Sequence, residues 1–242
     1  MHPILFEFPG LTLYTQTVLV IAAFMAGLML AVHESRQAEI AQCELTTVVL
    51  VGFIGSIVGA RLFFLLLAWN AAHLTFQELY LLGQTDGGFA FHGGLMFGGF
   101  ASWLVTRHYR VSVWRMGDVL APGLALALFF LRLGCLMNGC DFGVPTSQPW
   151  AIMLHGSPRH PIQLYEGVGS LALVPFLLFL NRRAYTPGTT LLWYLCLSSS
   201  LRFCVDIFRD DPFRYWHLTI PQFFAFGLAA AAGILLRYRA GR

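Results

Sequence analysis

Seven apolar runs, each close to the 20 residues that a helix needs to cross a bilayer, dominate the chain and leave it few folds to choose from. They fall at about 12–32, 45–68, 91–106, 117–138, 163–180, 189–206 and 218–236. The third is short and Gly-rich, so its ends are the least defined. Only 11% of the 242 residues are charged and 57% are hydrophobic, whereas a soluble domain is typically about 25% charged. The predicted fold class is all-α: a polytopic membrane protein of about seven transmembrane helices. No polar stretch is long enough for a second domain, so 1–242 reads as a single transmembrane helical domain. The N-terminal MHPILFEFPG has no basic n-region of a cleavable signal, and the first run is expected to stay in the mature protein.

Loop charges set the expected orientation. One side carries Arg36, Arg107, Arg110, Arg115, Arg182, Arg183, Arg237, Arg239 and Arg242; the other has Arg159, Arg209 and Arg214 with acidic Glu7, Glu78, Asp86, Asp141, Asp210 and Asp211. Nine against three places the N-terminus outside and the C-terminus in the cytoplasm. The net charge of +3 gives no reason to expect nucleic acid. All fifteen basic residues are arginine, a bias that genome composition explains better than function does. The five cysteines match no zinc or redox spacing. They read as packing thiols, although Cys135 and Cys140 are near enough in sequence for a disulfide to be considered. Neither a metal nor a nucleotide cofactor is expected.

Charged side chains inside the runs carry the functional information. An arginine at mid-bilayer costs on the order of 3 kcal/mol or more, so it should face a partner or water rather than lipid. In the expected orientation Arg61, Arg132 and Arg202 each lie late in an outward-running helix. His92 opens an inward-running helix, Tyr14 lies near the start of another, and Glu166 is in the first turn of the fifth span. All therefore fall in the outer half of the bilayer. A single arginine near a helix end can snorkel to the headgroups; three at one depth, with a histidine and a carboxylate, imply a shared polar cavity open to the outer leaflet.

Around these groups, Gly93 and Gly94 after His92 allow close backbone approach, for helix packing or for a ligand. A histidine there is a candidate base or donor; the plainer reading is an interfacial histidine capping its own helix. Pro161 is placed to start a helix, and Glu166 either favours that helix's dipole or neutralises an arginine. Arg202 and Asp206 are spaced i,i+4 and can pair. A pre-oriented arginine also grips phosphate in a forked geometry. Arginines, one histidine and room made by glycines suit an anionic phospholipid headgroup. These features do not separate a lipid-modifying enzyme from a lipid-binding or transport protein.

Five motifs, GARLFF (59–64), AFHGGL (90–95), LRLG followed by NG and FG (131–143), RHPIQLYE (159–166) and LRFCVDIFRDD (201–211), together resemble the bacterial prolipoprotein diacylglyceryl transferases. The likeness runs from Tyr14 to Asp210. It implies a seven-span, multi-pass enzyme of the bacterial inner (cytoplasmic) membrane, its N-terminus outside and its active site facing the outer leaflet. The implied reaction moves the diacylglyceryl unit of phosphatidylglycerol to the lipobox cysteine thiol in the signal peptide of a preprolipoprotein, forming a thioether and releasing glycerol phosphate. Membrane lipid and that peptide are the implied partners. By resemblance His92 helps to activate the thiol, and Arg132 and Arg202 hold the phosphate and its developing charge. Tyr14, Arg61, Asn138, Glu166 and Asp206 belong to the cavity, and Gly143 closes the signature. The chain departs from the family pattern at Cys135, usually asparagine, at Cys140, usually glutamate, at Thr15, usually glycine, and at Asp206, usually glutamate. Those changes leave open a paralogue on the same scaffold with another donor or acceptor, beside a non-catalytic lipid binder.

Overall fold

A computed structural model describes residues 4–8, 11–72, 91–183, 186–210, 214–215 and 218–240; at 7, 8, 11, 12, 68, 70–72, 91, 92, 214, 215 and 240 it describes the backbone alone. Among these residues seven long helices follow one another: α1 Thr15–Gln37, α2 Gln42–Ala72, α3 Phe91–His108, α4 Val113–Asn138, α5 Ile162–Arg182, α6 Thr189–Val205 and α7 Ile220–Ala240. Each coincides with one of the expected spans. Six are long and apolar enough to cross a membrane; α3, the short Gly-rich one, is not among them. Their outer faces are apolar, with Met29, Leu66, Phe224 and Ile234 all at least 60% exposed, while Gln163, Glu166, Ser170, Thr190 and Asp206 are buried. An apolar exterior over polar interior groups is what hydrocarbon solvent selects. The protein is a multi-pass helical membrane protein.

The chain divides into two compact units, Met1–Glu34 with Gly117–Arg242, and Ser35–Met116. In the smaller one, α2 and α3 pack through facing small residues. A Cβ added at Gly94 would lie 3.2 Å from the Ser56 carbonyl oxygen, and one at Gly98 would lie 2.8 Å from that of Gly52. Ser102 Oγ donates across the pair to the Val48 carbonyl at 3.3 Å. Stripes of this kind bring two backbones together where no hydrophobic effect drives association.

The larger unit holds the other five helices. Gly27 and Gly123 make the α1–α4 crossing possible: a Cβ on either would come within 2.9 Å of the other's carbonyl oxygen. Ala125, Leu177 and Leu180 form a small apolar core against Trp193 and Tyr194. Helix α6 is pinned at its start by Asp118 of α4, which accepts from Gly188 N at 2.5 Å and Leu191 N at 2.8 Å, supplying the cap that Gly188 cannot. Helix α7 opens on a capping box, Thr219 N to Gln222 Oε1 at 2.8 Å and Gln222 N to Thr219 Oγ1 at 3.4 Å.

Short hairpins occupy the connections, β1 Ile4–Phe8 with β2 Leu11–Tyr14, β3 Ile152–Leu154 with β4 Ser157–Arg159, and β5 Arg214–Tyr215 with β6 Leu218–Thr219. The middle one turns on His155 and Gly156, both with positive φ (50° and 79°), as a two-residue turn requires to match strand twist.

Candidate functional site

The site is built where α4, α5 and α6 end or begin on the same level. Helix α4 stops in a Schellman cap: Cys140 N bonds the Cys135 carbonyl at 3.0 Å and Gly139 N that of Leu136 at 3.2 Å, with Gly139 at φ 74°. The chain beyond is fixed by Gln163 Nε2, which donates to the Cys140 carbonyl at 2.6 Å. Gly143 is buried where three segments meet. A Cβ there would lie 2.6 Å from the His160 carbonyl oxygen and 2.9 Å from that of Phe208; only glycine fits.

Six charged side chains close a ring at this level. Arg132 reaches Asp141 at 2.7 Å and Glu166 at 2.9 Å. Arg202 reaches Glu166 at 2.9 Å and Asp206 at 3.2 Å. Arg209 reaches Asp206 at 3.5 Å and Asp141 at 2.6 Å. Each arginine thus meets two carboxylates and each carboxylate two arginines, and the formal charges cancel. Glu166 and Asp206 are 7% and 0% exposed at the side chain. Ionised groups removed this far from water persist only when paired and hydrogen-bonded. Burial opposes ionisation of Asp141, but Arg209 and Arg132 beside it prevail and hold its carboxyl below the usual carboxylate value.

The ring joins four of the expected site residues, Arg132, Arg202, Glu166 and Asp206. The Arg202–Asp206 pair forms as the i,i+4 spacing predicts, although Asp206 itself opens a turn of 3₁₀ helix after α6. The placement of Glu166 in the first helical turn needs correction. Helix α5 starts at Ile162, so Glu166 lies a turn in, too deep to serve the helix terminus, and it engages two arginines instead. Asn138 is the exposed last residue of α4 and Tyr14 the exposed last residue of β2. Arg61 lies on α2 with its guanidinium 5.6 Å from the Phe64 ring centre, and Gly93 and Gly94 pack against α2; these belong to the smaller unit. The side chain of His92, and residues 73–90 before it, lie outside the described residues.

Two ring members, Asp141 and Arg209, were read from the sequence only as loop charges. Their signals are faint: Arg209 is i+3 from Asp206, and Asp141 follows a helix cap that no periodicity reaches. A second layer supports them. Arg159 pairs with Asp210 at 2.5 Å, donates to the Gly143 carbonyl at 3.1 Å and lies over the Phe142 ring at 4.7 Å. Tyr165 Oη receives the Trp150 indole N–H at 2.7 Å and lies 3.0 Å from His160 Nδ1. Cys135 and Cys140 carry free thiols; hydrogen bonding with Cys135, then burial, push the Cys140 thiol up and keep it protonated.

Chemically, three arginines stand at one helix-end level, each paired with carboxylates, and guanidiniums so arranged have the geometry that suits polydentate binding of an anion. A family model described as prolipoprotein diacylglyceryl transferase matches residues 3–238. The chain is 28% identical over 219 residues to the phosphatidylglycerol–prolipoprotein diacylglyceryl transferase of Clostridium tetani, an overlap covering 88% of this chain and 87% of that protein. It is 28% identical over 247 residues to the Gloeobacter violaceus protein of the same name, covering 97% and 89%. With the Finegoldia magna protein, again of that name, the identity is 25% over 242 residues, covering 99% and 96%. Since the match spans nearly the whole chain and the whole of the charged ring, this chain belongs to the prolipoprotein diacylglyceryl transferase family.

Proposed function

We propose that this protein is a phosphatidylglycerol–prolipoprotein diacylglyceryl transferase. The observation that carries the reading is that Glu166, a buried carboxylate, bridges Arg132 and Arg202 from two different helices. That arrangement fixes two guanidiniums in a water-poor place before substrate arrives, which suits stabilisation of charge on a leaving phosphate.

In the proposed reaction the phosphodiester of phosphatidylglycerol is held by Arg132 and Arg202. The sulfur of the lipobox cysteine attacks the diacylglyceryl carbon attached to the phosphate oxygen. A C–S bond forms, the C–O bond breaks, and glycerol phosphate leaves with the bonding pair. The thiol proton passes to His92, a role assigned to it by motif. Tyr14, Arg61, Gly93, Gly94, Asn138, Gly143 and Asp206 line or shape the site in this proposal, and 1–242 acts as one domain. The protein works in the bacterial inner membrane with its N-terminus outside, its C-terminus cytoplasmic and its site toward the outer leaflet; the nine-to-three arginine bias supports that orientation.

Replacement of Arg132 or Arg202 by alanine tests the assignment. Either variant should lose about a hundredfold or more in lipidation of a lipobox peptide, the loss usual for one oxyanion-stabilising donor, while still inserting and eluting as a folded protein. Near-normal turnover in both would remove the phosphate-holding role. Cys135 and Cys140 favour a second reading, a paralogue with a changed donor or acceptor. For that reading Cys135→Asn should greatly raise lipobox lipidation.

A further inference from the structure

Asp141 stands apart from the other two carboxylates of the ring. Glu166 and Asp206 are buried and carried by regular helical backbone, whereas Asp141 is 36% exposed at the side chain and sits on the connection after α4. One of its oxygens, Oδ2, does all the bridging, lying 2.7 Å from Arg132 Nη1 and 2.6 Å from Arg209 Nη2. An anionic oxygen between two guanidiniums is also how a phosphate oxygen is gripped. The backbone of Asp141 is left-handed, at φ 59°, two residues beyond Gly139 at φ 74°. Aspartate tolerates that conformation but does not favour it, so the two ion pairs help to keep it there.

The charge balance points the same way. With Asp141 in place the ring is neutral; with Asp141 withdrawn it carries one positive charge, the complement of one phosphodiester. Arg132 Nε is buried and has no hydrogen-bond partner among the described residues, leaving a donor for a rearranged anion.

We propose that Asp141 is a resident counter-anion, occupying between Arg132 and Arg209 the seat that a substrate phosphodiester takes when Asp141 swings out. The proposal rests on the phospholipid-binding reading given above and adds Arg209 to the groups that hold the headgroup. An internal competitor lowers apparent affinity by the fraction of time that it fills the seat. It also keeps the cluster neutral between turnovers and discourages entry by lipids without an anionic headgroup.

The test measures binding of short-chain phosphatidylglycerol to purified protein in phosphatidylcholine nanodiscs, apart from any turnover. Asp141→Asn keeps the shape and the tolerance for positive φ but loses the charge. Asp141→Gly keeps only the backbone freedom and is the second variant should the first not fold. Either should bind phosphatidylglycerol about tenfold more tightly, the gain expected when a seat filled nine-tenths of the time is vacated. Glu39→Gln, which removes an equal charge from an exposed position on the connection between α1 and α2, should leave affinity unchanged. In turnover, KM for phosphatidylglycerol should fall in Asp141→Asn with little change in kcat. Equal or weaker binding by folded Asp141 variants overturns the proposal, and so does an equal gain in Glu39→Gln. Absence of turnover in every form, wild type included, counts against the transferase reading and leaves the binding result to decide this one.

Discussion

Glu166 holds the site together through a single side chain. Its two oxygens neutralise Arg132 and Arg202 at 2.9–3.0 Å, with 7% of the side chain exposed. Removing one partner of a buried pair typically costs about 3–5 kcal/mol, because the remaining charge is stranded. Glu166→Ala should therefore melt well below wild type in detergent, whereas Glu166→Gln, which keeps an acceptor, should fall between the two. Gly143 gives a sharper test of backbone geometry. Gly143→Ala sets a methyl 2.6 Å from the His160 carbonyl oxygen and should abolish lipidation by parting the segments that carry Asp141 and Arg209. Asp141 gives a pH test with a definite sign. Its folded value is depressed below 3.8, so its contribution is complete above that and is lost as pH falls through the lower folded value. Thermal stability should hold from about pH 7 to 5 and drop below about 4, and Asp141→Asn should lack that part of the drop. The Arg202–Asp206 pair was legible because helical spacing sets it. Asp141 and Arg209 were not, because a Schellman cap and a 3₁₀ turn place them.

At the scale of elements, apolar run length located all seven helices, since each must satisfy its own backbone in hydrocarbon. Helix α3 was the weak signal, and its glycines explain why: they lower its apolarity while fitting it to α2. Gly98→Ala would put a methyl 2.8 Å from the Gly52 carbonyl oxygen. Overpacking of this kind should cost about 1–3 kcal/mol, read as a lower melting temperature, whereas Gly99→Ala, which meets nothing within 4 Å, should be neutral. The His155-Gly156 hairpin was missed because the segment 139–162 reads simply as a polar loop. Its turn depends on two positive-φ residues, one of which is a histidine held 2.9 Å from the Gly139 carbonyl oxygen.

For the whole molecule, an apolar exterior over a neutral ring of six charges reconciles a charged site with a lipid surround. The ring pairs its own charges, so it is assembled before any headgroup arrives. Orientation decides which leaflet supplies that headgroup. Gln148→Cys, in the connection between α4 and α5, should react with a membrane-impermeant maleimide in spheroplasts of a strain expressing an otherwise cysteine-free protein. Thr186→Cys, between α5 and α6, should react only after lysis. The reverse pattern would turn the site toward the cytoplasm and contradict the proposed orientation.

The central claim is that this ring serves transfer from a phosphodiester to a thiol. Its most direct test is glycerol phosphate release by the purified protein in phosphatidylglycerol micelles, with a lipobox peptide and with the same peptide carrying serine for cysteine. Release that requires the cysteine, and that yields one thioether per glycerol phosphate, is the expected result. Release at the same rate with the serine peptide, or none from folded protein with either peptide, would contradict it.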